Sequence, residues 1–430
     1  MSKRIVITGM GWITPLGHDI ESVWARVLAG ESGVTNIFRF DASTFPTQFA
    51  SQVKDYDHRP YVRHPEVHEG VSLNTAFALG AAAQAWRQAG LDKANAIAPE
   101  RLGIYLGSGE GALDFDNYIA ANLAGWDAQK RGIDGRKWAE TAQKVMNAVC
   151  EVEQEPNMPL THLAMEFDAQ GPASNCLTAC AASTQAIGEA TCILRRGYAD
   201  VMISGVAYTM IHPLGVTGFN RLTALSNRND DPTGASRPFN ATRDGFVLGE
   251  GAGIVILETL DHAQARGATI LAEVVGYGSS ADAYRITDIQ PQGKGAIASM
   301  TQALDDAGLE PAAVNYISAH GTGTKENDSI ETRAVKTVFG DQIKNIPMSS
   351  VKSMMGHLIA AAGAVELITC ILAMRDNKLP PTINLHTPDP ECDIDYVANT
   401  TRDHRVDVAL SNSFGFGGQN DTLILRRFAQ

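Results

Sequence analysis

Runs of apolar residues divide this chain into short strands and long, small-residue helices. Arg4-Ile5-Val6-Ile7-Thr8-Gly9-Met10-Gly11 reads as a buried strand ending in a glycine turn. Residues 72–90 carry helical spacing, and Arg101–Gly109 reads as a strand running into a glycine loop. The stretch 171–195 opens on the turn pair Gly171-Pro172 and passes through a strand-like segment to Cys180. From Ala181 it carries small helix formers as far as Gly197, with Gly188 the one weak point. This pattern predicts that Cys180 sits where a strand hands over to the N-terminus of a buried helix. Unpaired amides and the helix dipole favour a thiolate there, so a lowered thiol pKa is expected.

The pattern then repeats. Gln84-Ala85-Trp86-Arg87-Gln88-Ala89-Gly90-Leu91 is echoed by Gln302-Ala303-Leu304-Asp305-Asp306-Ala307-Gly308-Leu309. Each copy precedes a strand, Leu102–Leu106 in the first and Val314–Ala319 in the second. Glu189…Thr191-Cys192-Ile193-Leu194 has its echo in Glu366…Thr369-Cys370-Ile371-Leu372, and Gly9-Met10-Gly11 in Gly276-Tyr277-Gly278. The echoes keep one order, so the chain reads as two diverged α/β halves, 2–266 and 267–427. The first echo runs from 84 to 302 and the second from 191 to 369, which leaves about 40 extra residues in the first half. Residues 112–160, polar and carrying Arg131, Arg136 and Lys137, are expected to hold them as a helical excursion over the surface. The second spacing sets Cys180 opposite residue 358, beside His357, so the starts of two equivalent helices should meet at one spot. Ligands of open α/β sheets bind beyond the carboxyl ends of strands, where both residues fall.

Composition narrows the class. The chain has 430 residues, 44% hydrophobic and 19% charged, as in a well-buried globular enzyme. A net charge of -13 argues against nucleic acid, and an acidic partner would need a local basic patch. Arg59, Arg63 and the 131–137 cluster are candidates for such a patch. No run approaches a membrane span. The three apolar residues after Met-Ser-Lys-Arg are too few for a signal core, so a cytosolic protein with reduced thiols is expected. Gly9-Met10-Gly11-Trp12-Ile13-Thr14 lacks the third glycine of a dinucleotide fingerprint.

Three further motifs carry chemistry. Tyr316–Thr324 is a strand ending at His320 and followed by Gly321-Thr322-Gly323-Thr324, which would aim an imidazole and two hydroxyls into a cleft. Lys352-Ser353-Met354-Met355-Gly356-His357 precedes a small-residue helix, Leu358–Leu372. Lys352, His357 and Glu366 in one buried unit would form a charged network that keeps the histidine neutral. Ser411–Gly418 follows the strand Val406–Leu410 and sets Phe414 and Phe416 on a glycine-rich loop that could gate a site. Zinc on Cys176, Cys180, His320 and His357 is disfavoured, because two cysteines straddling a strand-to-helix change need not converge.

In order and spacing, Cys180, His320-Gly-Thr-Gly-Thr324, Lys352-Ser-Met-Met-Gly-His357 and Phe414-Gly-Phe-Gly-Gly418 closely resemble the beta-ketoacyl-acyl carrier protein synthases, synthase II type. Shared stretches also include Ala224-Leu225-Ser226, Ser236-Arg237-Pro238-Phe239 and Asp244–Gly249, so the likeness runs from Arg4 to the final strand near Leu425 and implies one ketosynthase domain over residues 2–427. The resemblance implies a thiolase-like fold, two halves in a five-layered α-β-α-β-α stack, and a homodimer. It implies a decarboxylating Claisen condensation in fatty acid elongation, with no metal and no bound cofactor. The phosphopantetheine arm of an acyl carrier protein would bond Thr322 and Thr324, with Thr287 alongside. Cys180 would carry the acyl chain, backbone amides of Cys180 and Phe416 would hold the oxyanion, and His320 and His357 the enolate. Lys352 and Glu366 would tune the histidines, Phe416 would gate, and Phe219 would line the acyl tunnel.

The chain departs from the family at Glu110, where an apolar residue usually lines that tunnel. It departs again at Val206-Ala207-Tyr208, where a glycine and a glutamate are commoner, and in the length of 112–160. A thiolase would place a second cysteine after His357, and none matches. A non-catalytic chain-length subunit would lack Cys180. A specialised polyketide-type ketosynthase would keep every catalytic residue and stays open.

Overall fold

The computed structural model describes residues 3–92 and 97–429. Ser2, where the ketosynthase unit was expected to begin, lies outside the described residues. Among the described residues one sheet has ten strands, and five of them come from the first half: β1 Ile5–Ile13, β2 Leu102–Gly107, β3 Ala173–Cys176, β4 Val201–Tyr208 and β5 Gly251–Thr259. Five belong to the second: β6 Ala272–Ala281, β7 Tyr316–Ser318, β8 Met348–Ser349, β9 Val408–Phe414 and β10 Gln419–Arg426. The spatial order is β3-β2-β4-β5-β1 in one half and β8-β7-β9-β10-β6 in the other, the same order taken twice. The senses match as well. In each half the first strand pairs antiparallel with the last, and the three strands farthest from it run parallel. A three-residue antiparallel seam, Ile5↔Val274 to Ile7↔Ala272, joins the halves.

The helices supply the remaining layers. Those used below are α1 Leu73–Ala89, α2 Phe115–Gly125, α3 Gly135–Val145, α4 Met158–Phe167, α5 Ala182–Arg195, α6 Lys294–Ala307, α7 Lys325–Phe339 and α8 Ala362–Asp376. Helices α5 and α8 pack on each other and on strands of both halves, which makes them the central layer. Helix α1 covers β1 and β5 on one outer face, and α6 covers β6 and β10 on the other. This is the expected α-β-α-β-α stack. Small residues make the central layer possible: a Cβ on Gly363 would fall 2.1 Å from the Thr184 hydroxyl. The Ala364 amide donates to Ser183 Oγ across the same crossing at 2.9 Å.

The repeated glycines pack helix onto strand. A Cβ on Gly9 or Gly11 would lie 2.0 or 2.1 Å from the carbonyl oxygen of Ala85 or Ala81 in α1. A Cβ on Gly276 or Gly278 would meet Ala303 or Ser299 in α6 at 2.2 or 2.0 Å. The helix ends repeat too, since Gly90 and Gly308 both close their helices in the left-handed region. The excursion at 112–160 is helical as expected, built on α2, α3 and the short helix Ala148–Glu153. It is less polar than its sequence suggests, because Leu123, Trp126 and Ile133 stand exposed. Among the described residues no helix is long and apolar enough to cross a membrane.

Candidate active site

Cys180 lies in a single 3-10 turn, Ala179–Ala181, between β3 and α5. Ala179 before it is held at φ 48, a strained value for a residue with a Cβ. The second half repeats this elbow at Ile359–Ala361, with Ile359 at φ 47. The structural counterpart of Cys180 is therefore Ala360, not residue 358 as the helical echo suggested. The echo compared similar residues inside two helices, whereas the strained turns fix the true register two residues later. His357 lies three residues before Ala360, and its Nε2 reaches 3.1 Å from Cys180 Sγ. His320 follows β7, with its ring 5.3 Å from that of His357 and nearly perpendicular to it.

Both imidazoles are buried, and both have an acceptor role forced on Nδ1. The Ile359 amide donates to His357 Nδ1 at 3.2 Å. The Lys352 ammonium approaches His320 Nδ1 at 3.4 Å and donates to the His320 carbonyl at 2.6 Å. In a neutral ring the proton then resides on Nε2. Burial and the Lys352 charge hold both rings well below the usual histidine pKa, so they are neutral donors. Lys352 also pairs with Glu366, and burial pushes that carboxyl up to about 7 against the Lys352 charge. The charged network anticipated around His357 therefore acts on both rings: Lys352 contacts His320 directly and its charge also lowers His357.

Cys180 departs from expectation. Burial pushes its thiol up to about 11, opposed by the backbone N–H groups of Phe416 and Cys180 and by the Lys352 charge. The position at a helix start was read correctly, but desolvation outweighs it. Those two amides remain aimed at the sulfur. Sγ and the two rings offer ligand atoms within 4.8 Å of one another. A histidine that binds metal donates from its other nitrogen, and here that nitrogen accepts, so the trio is arranged against a metal. Cys176 instead faces the Ala182 carbonyl at 3.5 Å.

The three groups sit in a cavity of about 570 Å³ whose wall includes Thr287, Thr322, Thr324, Phe414 and Phe416. Thr322 and Thr324 hydroxyls bond each other at 3.0 Å, and Thr324 caps α7. Phe414 is the buried last residue of β9, so Phe416 alone occupies the glycine loop, where Gly417 and Gly418 have φ 89 and 80. Lys352 and Glu366 stand behind the cavity. The two further candidates, Phe219 and Glu110, are not on its wall either. Phe219 packs edge-on against Phe246, which packs edge-on against His357. Glu110 is exposed, and its carboxylate accepts from the Tyr208 hydroxyl at 2.6 Å. Of the basic candidates, Arg63 pairs with Glu166 and Arg59 with Asp57.

Sequence reasoning missed Glu331 and Asp328. Glu331 accepts from the His320 and Gly321 amides, each at 2.8 Å, and burial pushes it up to about 7. Asp328 accepts from Phe239 and Gly323 amides and pairs with buried Arg243. These acids hold the loop that presents His320. Their spacing, one turn apart behind a threonine cap, was the signal available.

Residues 2–263 match the family described as Beta-ketoacyl synthase, N-terminal domain, and residues 271–386 its C-terminal domain. The 3-oxoacyl-[acyl-carrier-protein] synthase 2 of Coxiella burnetii is 43% identical over 99% of this chain and 99% of its own. The protein of the same name from Synechocystis is 43% identical over 99% and 98%. A beta-ketoacyl synthase structure from Burkholderia phymatum superposes with TM-score 0.88 at 33% identity, covering 99% of this chain and all of its own. A type II polyketide ketosynthase, solved with its acyl-carrier protein and bound to a hexaketide, gives TM-score 0.86 at 33% identity over the whole of both chains. A buried cysteine on a strained elbow, two imidazoles presented by the other half and this agreement along the whole length place the chain in the beta-ketoacyl synthase family of acyl-transferring condensing enzymes.

Proposed function

We propose that this protein is a beta-ketoacyl-acyl carrier protein synthase that joins a cysteine-bound acyl chain to malonyl-carrier protein in fatty acid elongation. The observation that carries this reading is the meeting of Cys180 Sγ with His357 Nε2 at 3.1 Å, at the inner end of a threonine-lined cavity. The full-length synthase 2 relatives support the substrate class.

In the first stage Cys180 sulfur attacks the acyl-carrier thioester. The acyl group passes to Sγ and the carrier's thiol leaves with the cysteine proton. The Cys180 and Phe416 amides stabilise the tetrahedral oxyanion. The cysteine proton departs as the sulfur–carbon bond forms, so no free thiolate has to accumulate in the buried site. In the second stage the arm of malonyl-carrier protein rests on Thr322 and Thr324, with Thr287 alongside. Carbon dioxide leaves, and the resulting enolate oxygen accepts from Nε2–H of His320 and His357. The enolate carbon attacks the acyl thioester and expels the Cys180 thiolate, which takes a proton from solvent to return to the thiol, and the β-ketoacyl-carrier product leaves. Phe416 swings to admit each arm. The chain holds no cofactor in this scheme beyond the arm its partner brings.

The same reading takes a homodimer across β3, an edge strand with exposed Ala173 and Ser174, and a cytoplasmic location. A second reading, a specialised polyketide-type ketosynthase using the same residues, draws on the polar Glu110 and on the solved polyketide relatives. The deciding experiment offers the full chain a panel of acyl-carrier proteins. A mass increase equal to the acyl group, mapped to Cys180 and absent from Cys180→Ala, is the expected outcome. Adduct formation at another residue overturns the assignment.

A further inference from the structure

Two buried histidines meet outside the threonine-lined cavity. His68 closes the 3-10 turn Pro65–His68, and His162 sits on α4. Their Nδ1 atoms lie 2.8 Å apart. His68 Nε2 faces Glu166 at 3.1 Å, and His162 Nε2 faces Glu153 at 2.9 Å. All four side chains are buried. Each carboxylate also holds the chain before and at the start of α1. Glu166 accepts from the Arg63 amide at 2.9 Å, and Glu153 from the Ser72 amide and the Thr75 hydroxyl, each at 2.9 Å. The row of four therefore fastens α4 and the helix Ala148–Glu153 to residues 63–75.

These distances fix a proton count. Burial would raise the Glu153 carboxyl, yet bonds from His162, Ser72 and Thr75 hold it down at about 2. The Arg63 guanidinium stands 3.4 Å from Glu166. Both carboxylates are thus acceptors, and each Nε2 has to carry hydrogen. Between the two Nδ1 atoms, one must donate and the other accept. Two neutral rings carry two hydrogens, one too few. Two cationic rings carry four and set N–H against N–H. Three satisfy every contact, as one imidazolium and one imidazole. We propose that His68 and His162 share a single proton and form a pH-sensitive latch, closed only while that one proton is present. Other ionisable groups also face the row. His58 lies beside His68, and burial keeps it below the usual histidine range. Glu110 and Glu155 share a cavity of about 10 Å³ with Glu153. Their charge favours one cation on the pair, and Arg63 opposes a second. The latch is independent of the ketosynthase reading.

Linkage gives the sign of the pH response. An imidazole open to water titrates at about pH 6.5, so an opened pair binds one proton on average there, none well above and two well below. The closed latch binds one throughout. Closing takes up a proton at high pH and releases one at low pH, so the latch is tightest at about pH 6.5. Hydrogen exchange on the full chain reads it at the Arg63 and Ser72 amides, whose acceptors are Glu166 and Glu153. Corrected for intrinsic exchange, their protection should peak at about pH 6.5 and fall about tenfold per pH unit on either side. In His68→Gln the new amide can donate to His162 Nδ1 without a shared proton. The fall above the peak should then vanish while the fall below it stays. Nitrogen-15 shifts of the wild-type imidazoles should show three of the four ring nitrogens protonated at the peak. Protection with no maximum overturns the proposal, and so do two protonated nitrogens, the mark of a neutral pair. If His68→Gln does not fold, the two wild-type measurements decide.

Discussion

At the scale of single residues, the site works by holding two imidazoles neutral with their protons on Nε2. The Ile359 amide sets this for His357 and the Lys352 ammonium for His320. Lys352→Met should therefore slow decarboxylation of malonyl-carrier protein by about a hundredfold, while acyl transfer onto Cys180 remains measurable. Single-turnover release of carbon dioxide, compared with the mass of the acyl-enzyme, reads the two stages separately. The residues proposed to touch substrate were legible because each sits in a short motif with a glycine or a helix start beside it. Glu331 and Asp328 were not, since Lys325-Glu326-Asn327-Asp328 reads as a solvated face until the fold buries one side of it. The thiol was misjudged for a related reason: a helix start is visible in sequence, whereas the depth of burial that pushes the sulfur up to about 11 is a tertiary quantity.

At the scale of elements, close approach of helix to strand is the recurring device. Gly278→Ala would drive a methyl into the Ser299 carbonyl, 2.0 Å from its ideal position, and α6 would have to move off β6. The expected loss of stability is about 1–3 kcal/mol in urea unfolding, and Gly11→Ala should behave alike against α1. The wall near Glu110 has its own fastening. His68 and His162 meet through their Nδ1 atoms at 2.8 Å, while their Nε2 atoms face Glu166 and Glu153 at 3.1 and 2.9 Å. His162→Phe interrupts this buried chain and should lower the unfolding free energy by about 2–3 kcal/mol. Element identities were readable from periodicity, and the duplication from the order of the echoes. Register was not, because a helix of small residues looks alike when slid by two positions. Only the strained turns at Ala179 and Ile359 mark where the halves correspond.

At the scale of the whole molecule, buried acids shape the response to pH. Burial raises Glu331, Glu366 and Asp421 to about 7. An acid raised in this way gains a proton on folding. Its contribution is complete below the unfolded value of about 4 and is lost as pH climbs through 7. Asp421 is the clearest case: burial outweighs the hydroxyls of Ser279 and Tyr277, the latter bonding it at 3.0 Å. Stability of the wild type should fall between about pH 5 and pH 8, and Asp421→Asn should lose about 2 kcal/mol less over that interval in chemical unfolding.

The crossing of α5 and α8 has one more result. The proposed nucleophile and proton donors come from different halves of the chain, so a polypeptide cut near residue 267 would yield two pieces, each chemically mute. Co-expressed, they would recover turnover only as fast as they found each other, which makes the enzyme a natural two-component reporter of proximity.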